Sequence, residues 1–294
     1  MTWWCVTITE PWTWSPRAYP GIWISVLLLA IPYAVAMLRR SGPNPRARHH
    51  ATLYGLGVAV YWLATDWPIG TLGAGYLASV HMFQFVLYGM IAVPLMMLGT
   101  PEWMARRVLE RLRLYRVAKV LAKPLVAGVL FNTILLLTHA PMTVDAFRSN
   151  QFGSFALDAA WVVGGLILWT PMISPLEELR AKGYFPKMVY IFLAGQVIPM
   201  IPGGFLTFSD FPLYSTYELA PRTFALTARH DQQLAGVIMK LGGMPIVWST
   251  MAVLMFRWGQ SEGHIETKES QARRKAARAK AAAAAAEKPV AHNS

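Results

Sequence analysis

The apolar residues of this chain gather into long stretches that are separated by polar segments. The stretches lie near residues 19–38, 51–65, 75–98, 124–139, 154–172, 187–208 and 232–256. A helix needs about 20 mostly apolar residues to cross the hydrocarbon of a bilayer, because every backbone amide must be bonded within the segment. The pattern therefore predicts an all-α bundle of about seven transmembrane helices, of which the second and fourth are short.

The segments that connect these stretches are alternately rich and poor in Lys and Arg. The basic residues gather in segments 39–50, 99–123 and 173–187 and in the tail from residue 257. The exceptions are Arg17, Arg148, Arg222, Arg229 and, within a span, Lys240. Because Lys and Arg stay on the cytoplasmic side of short loops, we expect the amino terminus outside and the carboxyl terminus in the cytoplasm. The expected location is a bacterial-type inner membrane, crossed several times.

Composition agrees with a membrane protein. The 294 residues are 55% hydrophobic and 14% charged, and they include 12 Trp, which is too apolar for a soluble domain of this size. The net charge is +12, but the surplus lies in loops and in the tail, so we expect no nucleic-acid partner. Cys5 is the single cysteine, so no internal disulfide is expected.

Two basic segments are expected to lie outside the spans. Residues 101–123 interleave apolar and basic side chains, which predicts an amphipathic helix on the inner membrane surface, with an ordinary basic loop as the alternative. We assign residues 1–260 to one transmembrane domain that includes this helix. Residues 261–294 form a basic, Ala-rich cytoplasmic tail, for which we expect disorder or a transient helix. Basic charge at this face favours anionic lipid as a partner.

Ionisable side chains inside the spans are the candidate functional residues, because the bilayer makes them costly unless they have a partner or a task. His81, His139, Asp158 and His230 fall at a similar depth near the outer face. Thioethers lie near the same level, at Met82, Met142, Met200 and Met239. Imidazole and thioether both suit copper. The candidate metal ligands are therefore His81, His139, His230, Asp158 and Met82; hydrogen-bonded histidines and packing methionines are the alternative.

Proline and glycine predict two local features of the last spans. Pro199, Pro202 and the pair Gly203 and Gly204 predict a helix break at the outer end of the sixth span. In the seventh span, Gly236 and its small neighbours predict close packing against another helix.

Several segments occur together in an order that resembles a known family. They are YLASVHMFQ at 76–84, VPLMMLGTPEW at 93–103, FNTILLLTHAP at 131–141, GLILWTPMISP at 165–175 and DQQLAGVIMK at 231–240. This series is similar to the CtaG family, polytopic proteins associated with cytochrome c oxidase assembly and copper supply. The resemblance implies an assembly or accessory protein of a haem-copper oxidase, or of a related respiratory membrane complex, that handles copper at the outer face.

The chain departs from the family pattern at the expected ligands. Phe85 stands where the first motif usually has a second His, Ser154 and Asp158 stand where paired His are usual, and Lys240 replaces a common Trp. These changes suggest that Asp158 and Lys240 form an ion pair. The alternative function is then a non-metal structural subunit of a larger membrane complex. We expect no enzyme, because the chain has no nucleophile with an adjacent base, no phosphate-binding loop and no HExxH pattern.

Overall fold

The computed structural model describes residues 2–40 and 45–286, and this part of the chain is helical and contains no strand. The helices are α1 (Pro20–Arg40), α2 (Pro45–Thr65), α3 (Ile69–Gly75), α4 (Ala78–Gly99), α5 (Glu102–Arg111), α6 (Tyr115–Leu121), α7 (Pro124–His139), α8 (Pro141–Arg148), α9 (Gln151–Ile173), α10 (Tyr184–Phe208), α11 (Ser215–Glu218), α12 (Ala228–Leu241) and α13 (Met244–Ala286). A short 3₁₀ turn, Glu177–Leu179, follows α9. The prediction of an all-α protein is confirmed.

Five helical units among the described residues are long and apolar enough to cross a membrane. They are α1, α4, α9, α10 and the unit formed by α12 and the start of α13. The α6–α7 pair makes a sixth span if it is counted as one, although it bends by 88°. The protein is therefore a multi-pass membrane protein. The two predicted spans that fall short are α2, which begins with the basic residues Arg46 and Arg48, and α7, which has only 16 residues.

The predicted surface helix is two helices rather than one. The helices α5 and α6 are separated at Leu112–Leu114, where Arg113 has a φ of 56°, a value that cannot continue a right-handed helix. No residue of either helix is buried. The tail that follows the last span continues as helix α13 as far as Ala286, and residues 287–294 lie outside the described residues.

The predicted break in the sixth span is wrong in place and in kind. Helix α10 runs on through Pro202 to Phe208, and its irregularity is a π-helical stretch at Leu193–Val197, just before Pro199. Proline has no N–H to donate to the preceding turn, so the chain widens there instead of ending. The close packing predicted from Gly236 is confirmed, since a Cβ at this position would lie 2.6 Å from the Gly203 carbonyl oxygen of α10.

Segments that do not cross the membrane cover the end of the bundle that lies opposite the basic loops. The N-terminal segment 2–19 crosses this end, and the Thr7 amide donates to the Arg148 carbonyl at 3.0 Å. From α11, the Tyr217 hydroxyl donates to the Gly73 carbonyl of α3 at 2.7 Å. The starts of α4 and α9 are thereby enclosed, and the candidate site lies beneath this cover.

Candidate functional site

Seven polar and aromatic side chains meet at the closed end of the bundle, and each is at most 5% exposed. This Arg148 cluster consists of Trp4, His81, His139, Arg148, Asp158, Trp161 and Tyr217. Its members come from the N-terminal segment and from five different helices, α4, α7, α8, α9 and α11. Charged groups buried to this extent are stable only when they are paired and hydrogen-bonded.

An ion pair between Arg148 and Asp158 forms the centre of the cluster. Arg148 Nη2 lies 3.0 Å from Asp158 Oδ1, and the Trp4 indole donates to Asp158 Oδ2 at 2.8 Å. Asn150 caps α9 by accepting from the Gly153 amide at 2.7 Å, so α9 begins three residues after Arg148, the last residue of α8. Burial alone would lower the pKa of Arg148, but the charge and hydrogen bond of Asp158 act together with nearby tyrosines to raise that pKa.

The predicted ion pair between Asp158 and Lys240 is wrong. Both carboxylate oxygens of Asp158 are engaged by Arg148 and Trp4. The Lys240 ammonium instead lies 5.1 Å from the centre of the Phe208 ring. Arg148 lies close to Asp158 because only two residues separate the end of α8 from the start of α9. Lys240 lies on α12, much further along the chain.

His81 lies beside the ion pair and is hydrogen-bonded to Tyr217. Its Nδ1 lies 3.3 Å from Arg148 Nη2 and 2.8 Å from the Tyr217 hydroxyl. The Tyr217 hydroxyl has a single hydrogen, which it donates to the Gly73 carbonyl, so its oxygen accepts from His81 Nδ1 and the hydrogen of the neutral ring is on Nδ1. Arg148 Nη2, which can only donate, is then a close contact of this nitrogen and forms no hydrogen bond with it. Burial raises the pKa of Tyr217, which keeps its hydroxyl protonated and able to donate. His81 Nε2 is buried and has no hydrogen-bond partner.

His139 is held in the same tautomer as His81. Its Nδ1 lies 2.7 Å from the Leu135 carbonyl, which can only accept, so Nδ1 carries the hydrogen and Nε2 presents a lone pair. This Nε2 is also buried without a partner. The His139 ring stacks on Trp161 with centroids 5.6 Å apart, and its centroid is 5.9 Å from that of His81. Two buried imidazoles therefore share one indole and each leaves a nitrogen unpaired.

The structure brings together three of the five predicted metal ligands, namely His81, His139 and Asp158. Met82 is buried in the apolar core of the bundle. His230 is exposed near the start of α12 and contributes nothing to the cluster. Within the described ranges, no three His, Cys, Asp or Glu side chains form a group that could hold a metal ion. The five residues as a set do not fit a copper site, which leaves the two imidazoles as the available donors.

Sequence reasoning missed four members of the cluster: Trp4, Arg148, Trp161 and Tyr217. Arg148 did carry a signal, because it is one of the few basic residues on the side that is poor in them, and it lies ten positions before Asp158. Trp4 and Tyr217 belong to irregular or very short segments, whose place above the bundle no local pattern indicates.

Together these features define a multi-pass helical membrane protein with a buried ion-pair and imidazole cluster at one end. Residues 31–261 match the family described as cytochrome c oxidase caa3 assembly factor (Caa3_CtaG), and this match covers most of the chain. The chain therefore belongs to that family, as its ordered motifs predicted. No curated protein and no solved structure matches it. Family membership implies an association with a cytochrome oxidase complex.

Proposed function

We propose that this protein assists the assembly of a haem-copper oxidase, or of a related respiratory complex, in a bacterial inner membrane, and that its Arg148 cluster is a metal-free structural core facing the outer side. Family membership supports the assembly role. The single observation that favours a metal-free core is the guanidinium of Arg148, fully buried and 3.3 Å from His81 Nδ1.

Electrostatics explains why this guanidinium opposes a metal. A copper ion on His81 would place a second positive charge across one imidazole from Arg148, in surroundings where charges interact strongly because water is excluded. Asp158 carries one negative charge, which Arg148 at 3.0 Å already balances, so the charge of a bound metal would be uncompensated. In this proposal the cluster orders the outer end of the bundle, and the oxidase is bound through the bundle itself.

Copper(I) handling is the second candidate function, and one observation favours it. His81 Nε2 and His139 Nε2 are both buried and unpartnered, whereas buried polar atoms in proteins nearly always have a partner. Imidazole nitrogens suit copper, which would here be cargo for the oxidase. In this role the hydrogen on His81 Nδ1 stays donated to the Tyr217 oxygen, and Nε2 offers its lone pair to the metal.

Copper content and partner capture separate these functions. The full chain would be purified in mild detergent from copper-supplied cells under reducing conditions, and its copper and co-purifying proteins measured. The metal-free proposal expects captured oxidase subunits and no stoichiometric copper on the chain itself once those subunits, which carry their own copper, have been separated from it. Copper that is bound one per chain, is lost in His81→Ala with His139→Ala and is kept in the exposed control His230→Ala would establish the second candidate. Absence of oxidase subunits even after cross-linking would contradict both.

A further inference from the structure

A large cavity lies at the basic end of the bundle, opposite the Arg148 cluster, and shares no residue with it. Its volume is about 1450 Å³, and it is bounded by α4, α9, α10, α13 and the loop that follows α9. This volume exceeds the roughly 300–1,000 Å³ of usual small-molecule pockets. The cavity can therefore receive a ligand with long apolar groups.

The cavity is apolar along its helical walls. Side chains of α4, α9 and α13 form these walls, among them Ile91, Pro94, Leu98, Met172, Ile246 and Leu254. Hydrocarbon chains fit such walls, and an inorganic anion alone would leave them uncovered.

Positive charge is concentrated at the polar mouth of the cavity. Arg180, Lys182, Lys187 and Arg257 line it, together with Glu177 and Glu178. Glu178 is already engaged by Arg106 at 2.9 Å and by the Tyr115 hydroxyl at 3.2 Å. Within the described part of the chain, Lys182, Lys187 and Arg257 form no ion pair. The mouth thus holds an excess of cations directly beside an apolar wall.

We propose that this cavity binds one anionic phospholipid, with its phosphate among Lys182, Lys187 and Arg257 and its acyl chains against α4 and α13. Basic pockets between transmembrane helices recognise anionic headgroups because charge and apolar length are satisfied together. A partner helix would cover the walls but would leave the cations without counter-charge. A phospholipid accounts both for the apolar walls and for the cations at the mouth. This lipid site does not depend on what the Arg148 cluster at the other end does.

Native mass spectrometry of the full chain tests this site, with phosphatidylglycerol and phosphatidylcholine added at equal concentrations. Wild type should retain one phosphatidylglycerol preferentially. Lys182→Gln with Lys187→Gln and Arg257→Gln should weaken that retention about a hundredfold, since each nearby cation contributes about a factor of five. The charge-matched control, Arg107→Gln with Arg111→Gln and Arg116→Gln on α5 and α6, should retain the lipid as wild type does.

A second variant tests the apolar half without changing charge. Ser249→Trp fills the wall of α13 and should displace phosphatidylglycerol, while inorganic phosphate at millimolar concentration should not compete. Retention of the lipid by the Ser249→Trp variant, equal loss in both triple variants, equal retention of phosphatidylcholine, or competition by phosphate would each overturn the proposal. Thermal unfolding and size exclusion check that every variant is folded.

Discussion

Arg148 holds a full charge where no water reaches it, and its partner Asp158 is equally enclosed. Removing two charges from water costs several kcal/mol each, and mutual attraction offsets this cost only when geometry and further hydrogen bonds are good. Here Trp4 donates one such hydrogen bond to Asp158, whereas Arg148 Nε and Nη1 are buried without a partner among the described residues, so the guanidinium depends on Asp158. Loss of one partner therefore leaves an uncompensated buried charge, whereas loss of both leaves none.

A double-mutant cycle tests this argument. Arg148→Met and Asp158→Leu should each lower the free energy of unfolding by about 3–5 kcal/mol, and the double variant should recover much of that loss. Arg229→Met is the control, because it breaks the exposed Arg229–Asp210 pair at 2.7 Å and should cost no more than about 1 kcal/mol. Reversible unfolding in detergent measures all four. Strictly additive losses in the double variant would show that the two charges do not compensate each other.

Contacts between helices depend on small side chains and on caps supplied from another element. The Asp231 carboxylate at the start of α12 accepts from the Ala78 amide at 2.6 Å and the Ser79 amide at 3.2 Å, so it caps α4 across the bundle. Four residues further on, Ala235 and Gly236 bring α12 against α10. The arrangement of helices α10, α12 and α4 around the core thus depends on side chains of one short motif, residues 231–236.

The close contact between α10 and α12 predicts that two Gly→Ala substitutions will have unequal effects on stability. Gly236→Ala places a Cβ 2.6 Å from the Gly203 oxygen and 2.7 Å from the Thr207 amide nitrogen, so the helices must separate, at a cost of about 1–3 kcal/mol. Gly204→Ala is the matched control on α10, since its Cβ would meet nothing within 4 Å. Thermal unfolding compares the two. Equal melting temperatures would contradict the close packing of α10 and α12.

The whole molecule has two chemically different ends. One end is closed by the N-terminal segment, α8 and α11 over the Arg148 cluster. The other end carries the basic loops, the surface helices α5 and α6 and the cationic cavity. The excess of Lys and Arg at this second end supports a cytoplasmic location for it, and an odd number of crossings would then place the amino terminus outside.

Cysteines that are introduced one at a time and labelled from outside test this orientation. Cys5 is only 2% exposed, so the native chain should react little with a membrane-impermeant maleimide and serves as the blank. Ser15→Cys, at an exposed site near the amino terminus, should be labelled in intact spheroplasts. Gln260→Cys, exposed on α13, should be labelled only after the membrane is opened. Labelling of Gln260→Cys in intact spheroplasts would contradict the proposed topology.

The positions of most helices could be predicted from the sequence, and the exceptions have local causes. The apolar stretches near 75–98 and 154–172 became α4 and α9 within a few residues. The surface helix was predicted as one because its charge pattern continues through Arg113, whereas the turn depends on a backbone angle. The irregularity of α10 was placed at the prolines, although a missing donor is accommodated in the preceding turn.

By itself the sequence determined that the chain is helical and membrane-embedded, where five of its membrane-spanning helices lie, and to which family it belongs, because hydropathy and motif order are properties of contiguous residues. Only the tertiary structure decided that Asp158 pairs with Arg148, that His81 and His139 lie together and that His230 does not join them. Those outcomes depend on which helix ends lie next to each other in the folded chain. The short turn between α8 and α9, for example, places Arg148 beside Asp158, and the hydrophobic periodicity of the sequence contains no information about such a contact.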